Sequence, residues 1–208
     1  MLGPEGIARG VVAGLAARMP GAMAEIRERL GLSLYELPDL TGIYPTEITI
    51  RAVNDFPVAS VVEFDTSGKV GNRQFDMDST FDEYSYRYRM RVFLWCMSDN
   101  HEATDLQRKR LALAARVALL QDKIVCPESN GNSAQLDPHS LKESFSDIGE
   151  KEALQLIGGV YLEFEVVSQE RLGAWPTPPV TPAVITHDEV IVAPADTHHY
   201  PPIQIIKN

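Results

Sequence analysis

The sequence has only two cysteines, Cys96 and Cys126, among 208 residues. Two thiols make no disulfide framework, and their spacing fits no zinc pattern. They read as buried thiols of a reducing compartment. No apolar run reaches the 18 or more residues that a membrane span needs. The N-terminus lacks the basic start, long apolar stretch and cleavage site of a signal peptide, so synthesis in a cytoplasm without secretion is expected. Positive charge is also scarce: 19 Lys and Arg stand against 29 Asp and Glu, a formal net charge of −10. A surface that coats nucleic acid needs a basic excess to displace counterions, so that class is disfavoured. The acidic balance suits solubility.

Catalytic signatures are missing as well. Gly68-Lys69-Val70-Gly71 lacks the spacing of a phosphate-binding loop, and no Gly-x-Ser-x-Gly elbow occurs. Neither cysteine has a nearby His and helix start to activate it. None of the five histidines (His101, His139, His187, His198 and His199) shows ligand spacing. Asp76 with Asp78, and Glu163 with Glu165, are carboxylate pairs two residues apart. With a metal they would fit a nucleic-acid-processing enzyme. Two carboxylates fall short of the oxygen set that a divalent ion requires. The expectation is a protein without catalytic residues, cofactor or metal.

What is present is an ordinary globular composition, 44% hydrophobic and 23% charged, in a chain long enough for one domain and an appendage. A helix is expected from about Pro4 to Leu30. Ile7, Val11, Leu15 and Met19 mark one face, and Pro20-Gly21 predicts a kink or a break into two helices. Thr46–Val53 alternates and reads as a half-buried strand, with Ala59–Phe64 a shorter one and Asp65–Ser79 a loop or hairpin connection. The clearest element is Phe81–Met97. Tyr84, Tyr86, Tyr88, Met90, Val92, Leu94 and Cys96 share one face; Ser85, Arg87, Arg89, Arg91, Phe93 and Trp95 share the other. A period of two kept this long predicts a long strand.

An amphipathic helix follows. Asp99 with Glu102 resembles a capping box, and Ala103, Leu106, Leu113, Val117, Leu120 and Ile124 mark the expected apolar face. Asn130-Gly131 falls in a polar turn, and Leu136–Phe145 is ambiguous. Gly158-Gly159 introduces a strand at Val160–Val167, with Tyr161, Glu163, Glu165 and Val167 on one face. From Gly173 the composition shifts: the last 36 residues hold 7 of the 14 prolines together with many Val and Ile. An extended arm that docks on something is expected there. The fold class predicted is α+β: a mixed or antiparallel sheet packed by the N-terminal and central helices, with a core at 1–172 and a Pro-rich arm at 173–208.

Arg87, Arg89, Arg91, Phe93, Trp95, Tyr161, Glu163 and Glu165 form a candidate subunit interface. Adjacent strands would turn their charges into cross-strand pairs, with Glu47 and Arg51 on a third strand. The same residues admit two other readings, a solvated sheet face or a phosphate-contacting stripe. Exposed aromatics suit an interface.

The order of elements resembles tail terminator proteins of long-tailed, siphovirus-like bacteriophages. The resemblance rests on Tyr44-Pro45, the strand Tyr84-Ser85-Tyr86-Arg87-Tyr88-Arg89-Met90-Arg91-Val92, the helix from His101-Glu102-Ala103 to Arg116-Val117-Ala118-Leu119-Leu120, and the strand Tyr161-Leu162-Glu163-Phe164-Glu165-Val166. It covers residues 1–172; the Pro-rich arm departs from the smaller members. It implies a homo-oligomeric ring, a hexamer, that closes the tail tube and joins it to the head–tail connector or stopper protein. DNA would pass through the channel without specific binding. It also implies a virion protein of the tail or neck, assembled in the host cytoplasm, with no enzymatic activity. Another neck or tail-tube component is the nearest alternative. A regulatory binding module, monomeric with a mobile tail, is a further one.

Overall fold

A computed structural model describes residues 3–50, 53–70, 81–129, 132–152 and 155–173. The expected arm, Asp76 and Asp78 lie outside the described residues. The elements run α1 (Gly3–Leu30), β1 (Gly42–Tyr44), β2 (Val58–Val70), β3 (Phe81–Ser98), α2 (His101–Gln121), β4 (Ile124–Ser129), β5 (Asn132–Phe145), β6 (Gly149–Glu152) and β7 (Gln155–Gly173). The fold is α+β. One seven-stranded mixed sheet has the order β1-β2-β3-β7-β5-β4, with β6 also paired to β7. Only β1 and β2 are parallel.

β3 and β7 form the spine of the sheet. They pair without interruption from Phe81↔Gly173 to Ser98↔Leu156. Their inward side chains, Tyr88, Met90, Val92, Leu94 and Cys96 on β3 and Val160, Leu162, Phe164 and Val166 on β7, are buried. Both helices pack on this face. Burial of such side chains contributes about 1.5–3 kcal/mol each.

α1 is a single helical element through Pro20; no break into two helices occurs. Pro20 deprives Ala16 of an amide partner, but both residues are exposed, so water reaches the freed carbonyl. Ile7, Val11, Leu15, Met19, Met23 and Ile26 form its buried stripe.

α2 differs from its expected face. Its buried residues are Thr104, Gln107, Leu111, Ala112, Ala114, Ala115, Ala118 and Leu119, whereas Leu106 and Leu113 are exposed. A helix lying close on a sheet and on α1 selects small side chains at the contact, so alanines turn inward. Its N-cap is Asn100, not Asp99: Asn100 Oδ1 accepts the Ala103 N–H at 2.8 Å.

Thr46–Val53 is not a strand among its described residues. Ile48 and Ile50 are half-buried between exposed neighbours, but no strand pairs with them. The short strand there is Gly42–Tyr44. β2 extends beyond Phe64 to Val70, so the expected loop is strand in its first part. The ambiguous segment is β5. Between Asp137↔Glu165 and Lys142↔Glu163 its register jumps, five residues advancing against two. The extra residues are held by Ser140 Oγ, which donates to the Asp137 carbonyl and accepts the Glu165 N–H at 2.7 Å. Pro127 sits on β4, the outermost strand on that side.

One buried acid ties sheet to helix. Glu170, on the inward face of β7, accepts the Tyr88 hydroxyl at 2.7 Å, the Ser168 hydroxyl at 3.1 Å and the Gly3 N–H of the first turn of α1 at 3.3 Å. A carboxylate is stabilised there by the helix N-terminus. Burial and the Glu170 carboxylate together raise the Tyr88 phenol above its ordinary range.

Candidate interaction face

The outward face of the sheet has no helix on it among the described residues. Strict alternation in β3 and β7 places all eight candidate residues there, and register pairs them: Arg89↔Glu165, Arg91↔Glu163, Phe93↔Tyr161 and Trp95↔Gly159. Arg87 bonds Glu165 at 2.8 Å. Glu163 receives both Arg91 at 2.9 Å and Arg89 at 3.2 Å. Arg89 also reaches Asp65 at 3.4 Å, and Arg87 lies 4.0 Å from Asp137. The Arg91 guanidinium hydrogen-bonded to Glu163 holds its carboxyl below the usual carboxylate range. These pairs are partly exposed, so each contributes about 0.2–1 kcal/mol.

Above this ladder the face turns aromatic. Phe93 and Trp95 stack with ring centroids 6.4 Å apart, and Phe93 meets Tyr161 at 5.6 Å. Arg91 lies over Phe64 at 4.5 Å and Tyr161 at 4.7 Å, and Arg89 lies over Phe64 at 5.0 Å. Such stacking adds to the ion pairs. The tandem glycines divide between the two faces. A Cβ on Gly158 would meet Thr104 of α2 at 2.8 Å, and one on Gly159 would meet the Trp95 ring at 2.5 Å. Gly158 lets α2 close on the sheet; Gly159 lets Trp95 lie flat across β7.

Sequence periodicity missed four members of this face. Phe64 and Asp65 reach it through a β-bulge in β2 between Glu63↔Met90 and Asp65↔Arg89. Asp137 and Lys142 reach it through the β5 irregularity, and with Arg89, His139, Glu163 and Glu165 they line a cleft of about 280 Å³. The loss of alternation at Glu63-Phe64 is the one signal that could have pointed to the bulge. Glu47 does not join the face on a third strand as expected, and Arg51 lies outside the described residues.

The arginines are matched by carboxylates, which removes the free positive stripe that phosphate binding would need. Glu163 and Glu165 are engaged by the same arginines. Among the described residues, no three His, Cys, Asp or Glu side chains are grouped to hold a metal ion. His101 and His139 are exposed on separate elements. Cys96 is buried, and burial pushes its thiol up to about 12. Cys126 is half-buried, and its thiol is raised for the same reason. Comparison with protein-family models and with curated proteins finds no match to this chain.

Proposed function

We propose that the protein is a non-catalytic assembly protein whose helix-free sheet face docks on other protein, and that it serves as a phage tail terminator. In that role, copies form a ring, a hexamer, on the end of the tail tube. The ring joins the tube to the head–tail connector or stopper protein in the neck of the virion. DNA passes through it without specific contacts.

The observation that carries this reading is the outward face of β3 and β7. It offers stacked aromatics beside a charge ladder whose members already neutralise one another. Charged groups that are paired before contact lose less on desolvation than unpaired ones, and aromatics supply the contact energy. The resemblance in element order supplies the biological setting.

Mass photometry of the purified protein, alone and with isolated tail tubes, tests the reading. A ring-sized species is expected in at least one of the two conditions. Arg89→Glu reverses the middle charge of the ladder and should lower the multimer fraction while leaving far-UV circular dichroism unchanged. A single-copy mass under both conditions would overturn the proposal.

A further inference from the structure

The helix layer carries a second surface. Leu34 is 62% exposed, Tyr35 76% and Leu106 40%. Tyr35 and Leu106 line one cleft of about 110 Å³ with Glu36, Ser98, Gln107 and Arg110. Leu106, Arg110 and Leu113 follow at four- and three-residue steps, so they share one stripe of α2. Clustered exposed apolar side chains of this kind mark contact surfaces.

Two polar groups in this cleft lack the partners that their chemistry calls for. Every other described arginine on the two helices, Arg9, Arg18, Arg27, Arg29, Arg108 and Arg116, has a carboxylate in ion-pair range. Arg110 bonds only the Glu36 carbonyl, at 3.2 Å. Gln107 is 6% exposed, and its Oε1 accepts no hydrogen bond. A buried acceptor left unpaired costs about 1–3 kcal/mol.

The outward sheet face holds the complement. Phe64, Phe93 and Tyr161 each carry an arginine. Among the described residues Trp95, the best cation acceptor of the four, carries none, and its indole N–H has no hydrogen-bond acceptor. The electrostatic match is therefore specific: an arginine without an anion on one surface, an indole without a cation on the other. The buried acceptor and the spare N–H make a second match.

We propose that the Leu106–Arg110 patch receives the Trp95 end of the helix-free face of a second copy, so that copies add head to tail. The contact is heterologous, with different surfaces on its two sides, and each added copy leaves one of each free until a ring closes. This rests on the reading that the sheet face is an interface, and it names the surface on which that face lands.

The test uses two full-length variants and their mixture. Tyr35→Glu with Leu106→Glu blocks the patch at exposed positions; Trp95→Glu blocks the face, with Tyr161→Ser as a second face variant should Trp95→Glu fail to give a folded protein by circular dichroism. In mass photometry each variant alone is expected to lose all multimers, and an equimolar mixture to regain a species of two copies. That regain needs one intact patch and one intact face. If the patch variant still forms a dimer while the face variant does not, the faces pair with each other; the head-to-tail inference then fails and the assembly function stands. If the face variant assembles like the wild type, both fail.

Discussion

The two faces of the sheet are built by the same two strands and differ in almost every physical respect. Inward, β3 and β7 present Tyr88, Met90, Val92, Leu94, Val160, Leu162, Phe164 and Val166, all buried under α1 and α2. Outward, neighbours one residue away present arginines, glutamates and stacked rings. The inward face gains stability by excluding water. On the outward face the charge pairs are partly exposed, so its composition contributes little to the fold. Residues that stabilise a monomer only weakly, yet sit in an ordered array, are better explained by what they meet than by what they hold up.

The largest expected effect lies inward. Phe164→Ala should cost about 3–5 kcal/mol in urea unfolding, through lost transfer energy and a cavity between sheet and helices. A loss below 1 kcal/mol would erase the contrast between the faces. Tyr88→Phe comes next. It leaves Glu170 one donor short in a buried site and should cost about 1–3 kcal/mol. The pH dependence sharpens this. Because the Tyr88 phenol is raised in the folded state, its contribution is fully present below the ordinary value of 10.0 and is lost as pH rises above it. The variant should lack that part of the alkaline decline.

The smallest effect lies outward. Glu163→Gln should change stability by no more than about 1 kcal/mol, although the carboxylate holds two arginines. Its folded value is depressed by Arg91, so its contribution is present above the ordinary 4.5 and lost as pH falls through the lower folded value. Acid unfolding of the variant should be correspondingly shallower. A loss of several kcal/mol would mean that the outward face holds the fold together after all.

Legibility in the sequence followed the same contrast. β3 and β7 were readable because an unbroken period of two records one wet and one dry side, and the candidate face was readable for the same reason. α2 was readable as a helix, but its buried side was not. Leucine looks more apolar than alanine, yet close packing decided the matter and turned Ala112, Ala115 and Ala118 inward. β5 was unreadable because the residues around Pro138–Leu141 break its alternation. Phe64 and Asp65 were missed because one bulged residue moves a side chain to the other face. Thr46–Val53 alternates in sequence and in exposure, but alternation alone does not supply a neighbouring strand.

Pro127 has a consequence for how the protein could go wrong. Proline offers no N–H, so β4 is a poor template for a further strand. On the opposite side β1 covers β2 only from Val58 to Ser60, leaving its remaining length without a neighbour there. Growth of the sheet by stray chains is thus polarised, and aggregates seeded on the native molecule should extend from β2 and not from β4.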